Sequence, residues 1–169
     1  MWGEAVWAHG ILGGEPRAAM TQTPQPPTSD LETMLCFSLY VASRSMVAAY
    51  RPLLEPHGLT YPQYLVMLAL WNAPTPPTVK ALGEWLWLDS GTLSPLLKRL
   101  EAAGHLERHR RSADERELEV TLTDRGRALQ AQVADVPRLI GERVGLSDRR
   151  KRELVAVLRE VIGNLDEGG

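Results

Sequence analysis

Asp89-Ser90-Gly91-Thr92-Leu93-Ser94-Pro95-Leu96-Leu97-Lys98-Arg99-Leu100-Glu101 decides the fold. A cluster of N-cap residues opens it, Leu93, Leu96, Leu97 and Leu100 recur at helical spacing, and Gly104 stops it. The leucines share one stripe, whereas Ser90, Thr92, Ser94, Lys98 and Arg99 lie off it. Small polar and cationic groups on one side of a helix suit phosphates and base edges in a major groove. Pro95 leaves the helix start open, because proline is comfortable only in the first turn, where amides are unpaired anyway.

Upstream, Thr78 caps a short helix bearing Val79, Leu82 and Leu86, preceded by the rigid turn Pro74-Thr75-Pro76-Pro77. Before it, Thr60-Tyr61-Pro62-Gln63 reads as a capping box, with Gln63 reaching back to the Thr60 amide. Leu31 to Leu53 forms a further helix with two apolar faces. One comprises Leu31, Met34, Leu35, Leu39, Ala42, Met46, Ala49, Tyr50 and Leu53; the other holds Thr33, Cys36, Phe37, Tyr40, Val41 and Val47. That is more apolar surface than a single core contact uses, and a dimer interface is the economical explanation.

Downstream of Gly104 the period becomes two. Leu118, Val120 and Leu122 alternate with Glu117, Glu119 and Thr121, His105 to Arg111 supplies the facing strand, and Ser112 to Arg116 reads as the hairpin tip. Two closing helices follow, opened by Thr123-Asp124 and Ser147-Asp148. Helix, helix, short helix, helix and then a charged two-stranded ribbon is the order expected of a winged helix-turn-helix. The fold class expected is mainly α with a small β-hairpin wing.

The chain has 169 residues, 44% hydrophobic and 24% charged, enough for one core. Its net charge of -2 gives no global attraction to nucleic acid, so a DNA-binding reading rests on where the cations sit. The hairpin adds Arg108, Arg110, Arg111 and Arg116 to Lys98 and Arg99, concentrating charge on the two elements that would touch a duplex. Residues 1–30, rich in Gly, Pro, Thr and Gln, read as a disordered leader, with 1–19 as an upstream extension ahead of Met20. Residues 31–169 read as one domain: 31–58 and 123–169 for dimerisation, 59–122 as the winged helix-turn-helix. The longest apolar run, Tyr64 to Trp71, is too short to span a membrane, and nothing resembles a signal peptide, so the cytoplasm is expected.

Cys36 is the only cysteine. A lone cysteine on an apolar helix face is usually a small buried hydrophobe, yet Tyr40 lies one turn on, and Tyr50 and Tyr61 flank the following turn. Phenolic donors can stabilise a thiolate and make it a peroxide nucleophile. His9, His57, His105 and His109 show no triad or metal spacing; His105 and His109 read as solvated wing residues, and no cofactor is called for.

From Leu35 to Thr123 the sequence resembles the MarR family, and within it the organic-hydroperoxide-responsive repressors of one-cysteine type. The matching stretches are Leu35 to Tyr40, Leu59 to Tyr64, Leu88 to Leu93, Leu96 to Glu101 and Asp114-Glu115-Arg116; the last two helices match only in pattern. The resemblance implies an intertwined homodimer on double-stranded operator DNA, with Asp114 bracing the wing and Arg116 reaching the minor groove. It also implies that Tyr50 and Tyr61 reach across the dimer to the partner's cysteine, and that a peroxidase gene is controlled.

No second cysteine is present, and the resemblance to the one-cysteine branch implies that a sulfenic acid at Cys36 passes to a low-molecular-weight thiol as a mixed disulfide. A sulfenamide, overoxidation or an intersubunit disulfide stay open. So do three other readings: a repressor released by a small phenolic ligand, a thiol peroxidase, and a purely structural dimerisation module.

Overall fold

The computed structural model describes residues 31, 33–111 and 114–166, with the side chains of Arg111 and 114–117 excepted. The expected leader and the hairpin-tip residues 112–113 lie outside the described residues. The chain divides into two units, 1–39 and 40–169.

Helix α1 is Leu35–Leu54; a 3₁₀ turn, Glu55–His57, follows and ends on Gly58 at φ +70°. Then come α2 (Tyr61–Asn72), α3 (Val79–Leu86) and α4 (Ser90–Ala102). Strands β1 (Leu106–Arg111) and β2 (Asp114–Leu122) precede α5 (Asp124–Gln132), α6 (Val136–Val144) and α7 (Asp148–Asp166).

Caps set these boundaries. At α2, Gln63 Oε1 accepts from the Thr60 amide at 2.8 Å and from the Thr60 hydroxyl at 3.0 Å, the return half of the capping box expected from the sequence. Thr78 accepts from the Ala81 amide at 3.1 Å, Asp89 from Thr92 at 2.9 Å and Thr123 from Gly126 at 3.0 Å. Pro95 falls in the second turn of α4. There its missing amide leaves the Gly91 carbonyl, on the exposed side, without its usual helical donor.

Two boundaries differ from the sequence reading. Strand β2 begins at Asp114, paired with Arg111 past an irregularity between Arg110 and Arg111, so the strand starts three residues earlier than a tip at Ser112 to Arg116 allows. The closing segment holds three helices rather than two, because Pro137, second in α6, has no amide to give the Val133 carbonyl.

The core of the second unit is made by the winged helix. Leu82 of α3, Leu93, Leu97 and Leu100 of α4, Leu106 of β1 and Val120 of β2 are at most 1% exposed, closed over by Tyr64, Val66 and Met67 of α2. The ribbon is antiparallel, with Arg108 opposite Val120 and His109 opposite Glu119. Its outer edge is tied down where Thr78 bridges Glu119 and the Val120 amide donates to the Pro77 carbonyl at 2.9 Å. Helix α5 approaches the start of the ribbon so closely that a Cβ on Gly126 would stand 1.9 Å from the His105 carbonyl oxygen.

The flanking helices are packed quite differently. Of α1 only Leu54 is buried, and of α7 nothing is. Val41 and Val47 are exposed on one, Leu154, Val155 and Ile162 on the other. Among the described residues no helix is long and apolar enough to cross a membrane.

A candidate nucleic-acid interface and a candidate redox centre

Helix α4 presents what its sequence pattern promised. Ser90, Thr92, Lys98 and Arg99 are exposed, Ser94 is half-buried, and the leucine stripe is inside. The Asp89 cap qualifies the role of Thr92, whose hydroxyl donates to Asp89 Oδ2 at 2.9 Å. With its proton committed, Thr92 can accept from the amino group of a base but has nothing to give a phosphate oxygen. The hydrogen bonds from Thr92 hold the Asp89 carboxyl below its ordinary range.

The wing is less uniform than its arginine count suggests. Arg110 is exposed, but Arg108, counted with it in the sequence, is turned inward: Nε and Nη2 donate to Glu101 Oε2 at 3.0 and 2.5 Å. The backbone amide of Arg108 donates to the other carboxylate oxygen at 3.1 Å. Arg111, Asp114 and Arg116 belong to the strands, and their side chains lie outside the described residues.

The expectation that His105 is a solvated wing residue is overturned. It is 5% exposed, its Nδ1 is buried without a partner, and burial first, then the charge of Arg125, pushes its pKa down. His105 occupies the junction where α4 turns into β1, its amide bonded to Leu100 O and its carbonyl to the Thr123 amide. That junction is core. His109 does remain exposed, 3.0 Å from Glu107.

Cys36 sits in the first turn of α1 and is exposed. Of the three tyrosines offered to it by the sequence, Tyr50 and Tyr61 come together, ring centroids 4.5 Å apart, and Tyr64 joins them at 5.9 Å from Tyr50. Burial, and after it the neighbouring Tyr61 and Tyr64, raises the Tyr50 pKa, and burial raises that of Tyr61. Both phenols therefore keep their protons at neutral pH and remain donors. Tyr40 is exposed and turned to Arg44, whose Nη1 donates to its hydroxyl at 2.8 Å. Beside Tyr61, a mainly apolar cavity of about 460 Å³ is lined by Val47, Arg51, Glu55 and Leu59.

The family described as transcriptional regulator SarA/Rot matches residues 48–133. Over 124 residues, 73% of this chain and 82% of its counterpart, the sequence is 47% identical to the organic hydroperoxide resistance transcriptional regulator of Bacillus subtilis. The chain belongs to the MarR/SarA family of transcriptional regulators. Another relative, the HTH-type transcriptional regulator TtmR of Methylorubrum extorquens, is 44% identical over 144 residues, covering 85% of this chain and 73% of TtmR.

Among solved MarR/SarA structures, AbfR of Staphylococcus epidermidis is 36% identical, with a TM-score of 0.69 over 83% of this chain and 96% of AbfR. Reduced AbfR bound to DNA superposes with a TM-score of 0.68 at 37% identity, and overoxidised AbfR bound to DNA with 0.67 at 38%, each covering 82% of this chain and 96% of AbfR. Disulfide-formed AbfR gives only 0.55 at 38% identity, over 83% and 92%. The family membership thus accounts for the winged helix and its order of elements.

Sequence reasoning missed two features. Glu101 precedes Arg108 by seven residues across a glycine turn, a signal present in the sequence but invisible without the turn's geometry. Trp87, which closes α3 at φ +56° and ψ +40°, is the single non-glycine residue with positive φ among those described. It occupies the place where a helix-turn-helix turn often has glycine.

Proposed function

We propose that this MarR/SarA-family protein is a redox-sensing repressor. It binds operator DNA as a homodimer while Cys36 is reduced and lets go when an organic hydroperoxide oxidises Cys36. The observation that carries the reading is the pairing, in one chain, of a winged helix having an exposed polar recognition face with a single exposed cysteine. Support comes from the Bacillus relative's name and from AbfR, which has been solved reduced and overoxidised on DNA and in a disulfide-formed state.

On DNA, Ser90, Thr92, Ser94, Lys98 and Arg99 of α4 enter the major groove, while Arg110, Arg111 and Arg116 of the wing, with Asp114 bracing it, follow the adjoining backbone and minor groove. Residues 59–122 are the DNA-reading part; 31–58 and 123–169 dimerise, covering the exposed apolar faces of α1 and α7. In the assembled dimer the protonated Tyr50 and Tyr61 donate to the thiolate of the partner's cysteine, with Tyr40 contributing from the same helix.

The Cys36 thiolate attacks the distal peroxide oxygen and breaks the O–O bond. The distal oxygen keeps its proton and makes the sulfur a sulfenic acid, while the departing alkoxide takes a proton from solvent and leaves as the alcohol. Since the chain has no other cysteine, a small cellular thiol then displaces water and forms a mixed disulfide. Added bulk at Cys36 displaces α1 and respaces the two recognition helices, which must sit about 34–36 Å apart to read one face of DNA. The protein acts in the cytoplasm as a sensor rather than a turnover enzyme, having no resolving thiol of its own.

The test is a gel shift on DNA upstream of its own gene. Cumene hydroperoxide releases the wild type, and Cys36→Ser stays bound; release of Cys36→Ser would sink the reading. The cavity beside Tyr61 favours one alternative, release by a small phenolic ligand. That reading requires release without oxidant, with Cys36→Ser as responsive as wild type.

A further inference from the structure

We infer that Glu101 and Arg108 form a clamp that sets the wing against the recognition helix, so that Arg108 acts on DNA only by positioning Arg110 and the residues beyond it. The inference rests on the DNA-binding reading above and assigns these two residues a role different from the phosphate contact that charge alone suggests.

Three hydrogen bonds join one carboxylate to one residue. Glu101 stands in the last turn of α4, Arg108 in the middle of β1, and both side chains are partly buried, 35% and 21% exposed. A guanidinium held through Nε and Nη2 by one carboxylate, whose second oxygen also takes the backbone amide of the same residue, has little rotational freedom left. Two of its five N–H donors are committed, and the group that carries the other three is turned inward on a side chain only 21% exposed, so it has less to offer a phosphate than Arg110. The bond from Arg108 holds the Glu101 carboxyl below its ordinary range, so the pair stays ionised at neutral pH.

Position in the ribbon is the second argument. Arg108 pairs with Val120 and His109 with Glu119, and on the opposite edge those two β2 residues are the ones tied to Pro77 and Thr78, ahead of α3. The ribbon is thus fastened on both edges at one level, to α4 on one side and to the α3 entry on the other. Arg110 stands two residues further out, about 7 Å at the rise of a strand. Losing one fastening turns the other into a pivot, and the outer part of the wing no longer keeps its register with α4.

The electrostatic alternative gives the opposite sign. Removing an acidic group from a DNA-facing surface ordinarily strengthens binding; removing Glu101 should weaken it. Affinity for a labelled duplex from upstream of the chain's own gene, and for a random-sequence duplex, is measured at several salt concentrations. Melting curves followed by circular dichroism show that each variant is folded.

Glu101→Gln and Arg108→Ala each lose about tenfold on the specific duplex and less on the random one. The slope of log affinity against log salt stays at the wild-type value, whereas Arg110→Ala lowers it by about one. Glu101→Ala with Arg108→Ala costs no more than the worse single change, because both break the same contact. Should the alanine variants not fold, Glu101→Gln with Arg108→Lys carries the same signature at smaller amplitude.

Tighter or unchanged binding by Glu101→Gln, a slope reduced by Arg108→Ala as by Arg110→Ala, or additive losses would each overturn the clamp. Wild-type protein that binds neither duplex would instead remove the DNA-binding reading, and the clamp with it.

Discussion

The winged helix and the helices that flank it follow opposite packing rules. From Tyr61 to Leu122, Leu82 of α3 and Leu93, Leu97 and Leu100 of α4 are enclosed by the protein's own residues, and every polar cap is answered locally. In α1 and α7, thirty-nine residues of helix bury a single side chain, Leu54; 20 residues belong to α1 and 19 to α7. One region encloses its apolar stripe, and the other leaves it uncovered. A long helix with an exposed apolar face gains stability when a partner surface covers it; on the reading proposed above, dimerisation supplies that surface.

This contrast can be broken first in the core. Leu97→Ala, at a fully enclosed position, is expected to cost about 3 kcal/mol, with the same loss in melting experiments at every protein concentration. A loss that vanished at high concentration would mean that the winged helix too depends on its partner.

On the other side, Leu154→Glu in α7 should leave the winged helix folded and weaken the dimer by about 2 kcal/mol per buried site, read by sedimentation equilibrium. An unchanged dimer would show that this face is not the one covered.

The pH dependence of stability sharpens the boundary between the regions at His105. Its pKa is depressed in the folded protein by burial and by Arg125, so the unfolded chain takes up the proton more readily. Both states are neutral above about 6.5, the unfolded value, and stability is complete there. It declines as pH falls below that value toward the folded pKa. Denaturant midpoints measured across this range should fall for the wild type and stay flatter for His105→Leu.

The smallest effect expected is a gain. Trp87→Gly frees a left-handed backbone that costs about 1 kcal/mol for a residue with a Cβ, and the indole is 70% exposed, so little packing is lost. A raised melting temperature supports stored strain at the turn; a lowered one points to packing around Trp87.

Most of the fold could be read in the sequence because its signals are local. Caps such as Thr60, Thr78, Asp89 and Thr123 act within four residues, and the change from period three-and-a-half to period two announces the wing. What escaped depends on distant pairs. Arg108 looks like its neighbour Arg110 until Glu101 is seen beside it, and His105 looks solvated until α5 closes over it through Gly126. The closing segment reads as two helices because Pro137 sits in an otherwise helical pattern, where one missing amide decides the break. At the candidate redox centre, the pairing of Tyr50 with Tyr61 follows from the α1–α2 turn, whereas Cys36 is exposed at the start of α1, and its approach to the tyrosines belongs to the proposed dimer.

The aromatic row that begins with Tyr50 and Tyr61 continues through Tyr64 to Trp71, edge-on at 6.3 Å, whose indole donates to the Gly126 carbonyl at 2.9 Å. In optical terms this is an antenna. Tyrosine excitation drains into a half-buried indole hydrogen-bonded to the base of α5, while Trp85 and Trp87 lie more open to solvent and to collisional quenchers. With Trp2 and Trp7 replaced by phenylalanine and the exposed pair quenched by iodide, the remaining indole emission comes from Trp71, and a rearrangement of the tyrosines beside it becomes visible as a change of colour and yield without any added label.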